Sequence, residues 1–198
     1  MNPFGNKIDS LLDNGRIANL IKYSNHCAGL GGYIFESGIY AGGSLEILAK
    51  YNPGVNILAV DSFQGVAKES EFDLHREGDF NMVDYPAIAG YFKMVYPQVR
   101  IFKGFIPEVY QAFDEHTRIS FSHTDLDMYE AVRHACDFIF PRTLSGGMML
   151  FDDYKVRSTP GATKAIDEFF ADKDCSFKGE LFYHEGGKSH NQYLAVIK

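Results

Sequence analysis

Two short acidic motifs, Asp125-Leu126-Asp127 and Asp152-Asp153, each follow an apolar run that reads as a strand. If the first motif stays extended, Asp125 and Asp127 point to one side, and neighbouring strand ends bring four carboxylates together. Uncompensated, such acids repel and raise one another's pKa. An all-oxygen cluster instead suits a hard cation such as Mg2+, which keeps waters for a substrate to replace. Either pair alone reads as solvated loop acids or as helix caps, Asp127 standing three residues before Glu130; two pairs at adjacent strand ends point to a site. The chemistry that needs both a metal and a carboxylate is deprotonation of a hydroxyl. An alcohol resembles water, whose pKa is about 15.7, and a free Asp titrates near 3.9, so unaided transfer is uphill by roughly 12 units or about 16 kcal/mol. A cation on the hydroxyl oxygen removes part of that gap, and a concerted group transfer crosses the rest.

A second motif, Glu36-Ser37-Gly38-Ile39-Tyr40-Ala41-Gly42-Gly43-Ser44, lies between a strand candidate and a helical stretch containing Leu45, Ile47 and Leu48. A glycine turn between a strand and a helix N-terminus is where open α/β sheets bind ligands, although glycines also make plain tight turns. A dinucleotide fingerprint competes, because Gly38 and Gly43 are the outer glycines and Asp61 lies about 20 residues on. Its middle glycine is Tyr40, however, and a tyrosine fills the space that a pyrophosphate needs. A cofactor with no pyrophosphate fits better. S-adenosylmethionine (SAM) asks for a carboxylate near its cationic end and an acid at its ribose, and Glu36 and Asp61 are placed for those roles.

The elements that must position these residues follow from hydropathy patterning. Tyr33 to Phe35, Val55 to Val60, Ile119 to His123 and Met148 to Phe151 read as buried strands ending in polar residues. Tyr129, Val132, Cys136, Ile139 and Phe140 share one helical face before Pro141, and Ala162, Ala165, Ile166, Phe169 and Phe170 share another after Thr159-Pro160. Residues 64–98 read as an excursion over the sheet, with a helix from Asp84-Tyr85-Pro86 through Phe92. Phe177 to Tyr183 and Gln192 to Ile197 predict an antiparallel hairpin around Glu185-Gly186-Gly187-Lys188. The first 30 residues predict two short helices, one carrying Ile8, Leu11 and Leu12 and one carrying Ile17, Leu20 and Ile21, broken at Asn14-Gly15. Strands alternating with helices make a Rossmann-like α/β fold with a mostly parallel sheet and an antiparallel C-terminal hairpin. One domain over residues 1–198 is expected, with a core from residue 31 onward.

Composition narrows the partners. A net charge of −7 opposes binding to a phosphate backbone, so no nucleic acid is expected. No apolar run approaches the roughly 20 residues of a membrane helix, and the first residues lack the apolar core of a signal peptide, so no membrane and a cytoplasmic location are expected. Cys27, Cys136 and Cys175 are odd in number and form no C-x-x-C pair, which reads as reduced thiols. His123 reads as a backbone-bonded strand-end histidine, and His184, Glu185 and His190 as polar turn residues. A homodimer is the default assembly.

The motifs Glu36 to Ser44, Asp61-Ser62-Phe63-Gln64-Gly65, His123-Thr124-Asp125-Leu126-Asp127-Met128-Tyr129-Glu130, Pro141-Arg142 with Gly146-Gly147, Phe151-Asp152-Asp153-Tyr154 and Asp167-Glu168-Phe169 together resemble the macrocin O-methyltransferase family over roughly residues 30 to 170. That resemblance implies a class I methyltransferase fold and SAM-dependent, Mg2+-assisted methylation of a hydroxyl on a small-molecule acceptor, typically a sugar of a bacterial natural product. It implies Asp125, Asp152 and Asp153 as metal ligands and Asp127 as general base. It places Glu36, Gly38, Gly42, Asp61, Ser62 and Leu126 around the cofactor, with Tyr40, Ser44 and Phe63 beside them. Both Asp152 and Asp153 reach one ion only if their strand ends there. Only about 30 residues precede the first core strand, fewer than in family members acting on antibiotic sugars, which leaves the cover of the site to residues 64–98, to a neighbouring subunit, or to none. A catechol or another vicinal diol meets the same metal geometry. A metal-dependent hydrolase, a nicotinamide oxidoreductase and a non-catalytic binding protein are the competing readings.

Overall fold

The computed structural model describes residues 7, 8, 10–185 and 188–198, with the side chains of residues 183–190 outside that description. The Gly186-Gly187 turn and the side chains of His184, Glu185 and His190 therefore lie outside the described residues. Among the described residues seven strands form one sheet: β1 (Tyr33–Ser37), β2 (Ile57–Asp61), β3 (Val99–Lys103), β4 (Ile119–Thr124), β5 (Thr143–Phe151), β6 (Cys175–Glu185) and β7 (Lys188–Ile197). Their order is β3-β2-β1-β4-β5-β7-β6. Strands β1 to β5 are parallel, and β7 runs antiparallel between β5 and β6, as the C-terminal hairpin pattern predicts. This is the mostly parallel sheet with an antiparallel C-terminal hairpin that the sequence pattern predicts.

Alternation along the buried strands feeds two apolar layers. Phe35, Leu58, Met149 and Phe151 pack with Val132, Ile139, Ile166 and Phe169 on one face. Ile34, Ile57, Ala59 and Leu150 pack with Leu20, Leu45 and Phe92 on the other. Period-2 side chains on strands buried on both sides give this division. The first layer holds α4 (Tyr129–Ile139) and α5 (Pro160–Phe170); the second holds α1 (Asn14–Cys27), α2 (Gly43–Tyr51) and α3 (Tyr85–Val95). No helix among the described residues is long and apolar enough to cross a membrane. The three cysteines are free thiols.

The N-terminus differs from the sequence expectation. Asn14-Gly15 is where α1 starts: the Asp13 side chain accepts from the amides of Gly15 at 3.0 Å and Arg16 at 3.1 Å and caps the helix. The described residues before it form bends, with Leu12 buried and Leu11 exposed, where a first short helix was expected. Glu46 of α2 ties this segment down, its Oε2 accepting from the amides of Lys7 at 2.8 Å and Ile8 at 2.7 Å. Strand β3 was also unforeseen. Residues 62–84, between β2 and α3, cross the carboxyl ends of the strands as the excursion reading expects.

Candidate active site

Sheet order reverses between β1 and β4, and a cavity of about 330 Å³ opens at the carboxyl ends of these strands. That is where open α/β sheets bind ligands. Backbone bonds bring the strand ends into one plane: Gly38 N–H donates to Val60 O at 3.0 Å, Asp125 N–H to Ser37 O at 2.9 Å, and Asp152 N–H to Thr124 O at 3.0 Å. Gly38 is required by packing. Its φ is +87°, and a Cβ there would sit 1.8 Å from the Asp125 carbonyl oxygen, so the glycine turn presses directly on the first acidic motif.

On the β1–β2 side, Asp61 holds the glycine turn. Its Oδ2 accepts from the amides of Ile39 at 2.6 Å and Tyr40 at 2.9 Å, and its Oδ1 accepts from Phe63 N–H at 2.6 Å. Tyr40 adopts φ +49° to make this contact possible. Gly38, Tyr40, Ser44, Asp61, Ser62 and Leu126 all face the cavity. Three other expected cofactor residues do not line it. Phe63 is buried and packs on Tyr85 with ring centroids 4.7 Å apart. Gly42, at φ +96°, lets the α2 N-terminus pass the Phe92 ring, which a Cβ would approach to 2.9 Å. Glu36 is fully buried, with Oε1 3.0 Å from His123 Nδ1. Burial works to lower the His123 pKa, but the hydrogen bond and charge of Glu36 outweigh it and hold the imidazole above its ordinary value.

On the β4–β5 side, Asp125, Asp127 and Asp153 gather with one carboxylate oxygen each within 4.8 Å of the others. They meet by a different route from the extended pair the sequence suggests. β4 ends at Thr124, and Asp127 turns into left-handed backbone at φ +60°, where its N–H donates to Asp153 Oδ2 at 3.0 Å. Burial first, then the neighbouring carboxylates, holds Asp125 well above the usual range, pushes Asp127 up to about 8 and Asp153 up to about 6. Hard-oxygen donors crowded at this spacing have the composition and the unbalanced charge that fit a divalent cation.

Asp152 lines the same cavity but stands outside this close cluster, its carboxylate already engaged. Its Oδ2 accepts from Arg16 Nη1 at 2.5 Å and its Oδ1 from Gln192 Nε2 at 2.8 Å. β5 ends at Phe151, so strand alternation does not divide the pair; Arg16 of α1 and Gln192 of β7 draw the Asp152 carboxylate to their side while that of Asp153 joins the cluster. Arg16 and Gln192 carry no motif that would have revealed them.

Two further contributors come from outside the motifs. Ser10, Leu11, Leu12 and Arg16 line the cavity, and so do Gly65, His75 and Phe80 of residues 62–84. The site is thus walled by the chain's own N-terminal segment and by the excursion. Among the described residues His75 is the histidine of this wall, its Nε2 4.0 Å from Asp127 Oδ1.

Comparison with known proteins identifies the family and the fold. The macrocin O-methyltransferase (TylF) family model matches residues 10–177. No curated protein sequence matches the chain significantly. Among solved structures, the chain is similar to NovP, an O-methyltransferase, with TM-score 0.78 and 19% identity over 96% of this chain and 82% of that one. It is similar to CalS11, a calicheamicin methyltransferase, with TM-score 0.73 and 21% identity over 91% and 78%. An O-methyltransferase from Bacillus cereus, in complex with S-adenosylhomocysteine (SAH), superposes with TM-score 0.69 and 14% identity over 94% of this chain and 82% of that one. The hydrolase, oxidoreductase and non-catalytic readings fall away: with the family model matching most of its length, this chain belongs to the macrocin O-methyltransferase (TylF) family and is an O-methyltransferase.

Proposed function

We propose that this chain methylates a hydroxyl of a small-molecule acceptor, a sugar of a bacterial natural product or glycan, with SAM as donor and Mg2+ as assisting ion. The observation that carries the reading is the cluster of Asp125, Asp127 and Asp153 sharing one cavity with Asp61 and the glycine turn. CalS11 is a TDP-rhamnose 3′-O-methyltransferase, which supports a sugar acceptor by likeness of fold.

The turn from Gly38 to Ser44, with Asp61, Ser62 and Leu126, would hold the cofactor, and Glu36 lies beneath it against His123. Asp125 and Asp153 would hold the ion, and Asp152 buttresses them from Arg16 and Gln192. When bound, SAM supplies an electrophilic methyl and Mg2+ lowers the pKa of a coordinated hydroxyl. Asp127 takes the hydroxyl proton at its carboxylate. The bond from its amide to Asp153 fixes the backbone from which that carboxylate projects, so the base stands at the edge of the metal cluster. Walls from residues 10–16 and 65–80 exclude water and hold the acceptor in line, which supplies much of the acceleration of a displacement.

The test is SAH release from SAM with sugar and catechol acceptors, in Mg2+ and in EDTA. The reading expects Mg2+-dependent release with a sugar. Release confined to catechols, or equal rates in EDTA, would contradict it.

A further inference from the structure

The proposed reaction leaves His75 without a task. It sits in residues 62–84, lines the cavity, and is about one-quarter exposed. The segment that carries it is fastened to the core. Asp73 Oδ1 accepts from Tyr129 N–H at 2.8 Å and so caps α4 from a distance, while its Oδ2 accepts from Ser70 N–H at 2.9 Å. Asp73 also fills the space above Gly161 of α5, where a Cβ would stand 2.0 Å from Oδ1. Val66 and Asp79 close the base of the loop, with Val66 N–H donating to Asp79 O at 2.9 Å and Gly78 N–H to Val66 O at 3.0 Å. His75 is therefore held in place by a built loop.

Its two nitrogens have different surroundings. Nδ1 lies 3.4 Å from Asp79 Oδ2, a carboxylate of its own loop. Nε2 is left for the cavity, 4.0 Å from Asp127 Oδ1. That separation is too long for a hydrogen bond. It suits two hydroxyl oxygens on neighbouring carbons, one on Asp127 and the next on His75, each at about 2.8 Å. The ring is steadied by Phe80, 5.1 Å away edge to face, and Phe80 in turn by Tyr40 at 6.2 Å.

We propose that His75 is a positioning residue that holds, through Nε2, the acceptor hydroxyl vicinal to the one whose proton Asp127 takes, and thereby selects vicinal diols and sets which hydroxyl is methylated. This rests on the methyl-transfer reading of the site. A hydroxyl both donates and accepts, so Nε2 serves with or without its own proton.

The experiment compares kcat/KM for methyl α-L-rhamnopyranoside, each of its monodeoxy analogues, catechol and phenol, by SAH release with Mg2+, in wild type, His75→Ala and His75→Gln. Wild type should prefer a diol over its best deoxy counterpart by about tenfold, the worth of one well-placed hydrogen bond. His75→Ala should collapse that ratio below about threefold, and His75→Gln, which keeps a polar atom at similar reach, should restore part of it. A ratio that survives in His75→Ala while both acceptors slow equally marks a merely structural role and overturns the proposal. No transfer to any of these acceptors by wild type, with SAM still raising its Tm, overturns the sugar and diol reading of the site and the proposal with it.

Discussion

The amide of Asp127 donates to Oδ2 of Asp153 at 3.0 Å, linking two motifs 26 residues apart in sequence. A left-handed residue at the end of β4 is the device that makes this possible, since Asp127 at φ +60° turns its N–H toward β5 while its carboxylate stays with Asp125. Non-glycine residues hold such backbone at a cost of order 1 kcal/mol or more, and that kind of strain gathers at functional sites.

Asp127→Asn should therefore keep the fold and the cofactor and lose the base. Turnover should fall by at least about 100-fold, while SAM affinity stays within about threefold. Single-turnover rates and SAM titration check both; normal turnover in the variant contradicts the assignment.

Gly38→Ala should cost more than about 2 kcal/mol of stability, because it adds a Cβ against the Asp125 carbonyl at φ +87°. Denaturant unfolding measures it. A variant as stable as wild type would show that the glycine turn does not press on the acidic motif.

The pH dependence of the metal-free protein has a fixed sign. Asp127 and Asp153 have folded pKa values of about 8 and about 6, above an ordinary value of 3.8. A folded state that binds more protons than the unfolded chain loses stability as pH rises between the two values. In EDTA, Tm should therefore fall from about pH 5 to about pH 8, and Asp127→Asn should flatten the slope. Wild type and variant with the same slope would contradict the cluster's electrostatics.

Arg16→Met should leave Asp152, 2% exposed, held by Gln192 without its cationic partner, at a cost of about 1–3 kcal/mol. The Asp152→Asn, Arg16→Met double variant should recover part of that loss. Thermal unfolding of the two variants decides it.

The parts of this molecule that were legible in the sequence were those where burial is two-sided. Ile34, Phe35, Ile57 to Val60 and Met148 to Phe151 are apolar in unbroken runs because both faces of their strands are covered. Strand β3 escaped notice because it lies at the sheet edge, with Arg100 and Lys103 exposed and Ile101 and Phe102 only half-buried, which erases the run. Asn14-Gly15 looked like a break because Gly15 is a poor helix former; the stronger signal was Asp13 as a cap. In the site, the acidic motifs and Asp61 were readable as local clusters. Arg16, His75, Asp73 and Glu46 act across 38 to 136 residues of chain or through an irregular loop, and no local pattern marks such contacts.

The most direct measurement is thermal unfolding with SAM, with SAM plus Mg2+, and with NAD, for wild type and Asp125→Asn. Saturation at about 100 times Kd adds roughly 2.7 kcal/mol, which for a chain of this size raises Tm by about 5–11 °C. The account predicts that rise with SAM, a further rise with Mg2+ that Asp125→Asn loses, and none with NAD. A shift with NAD, or no shift with SAM at concentrations where an established methyltransferase responds, would contradict it.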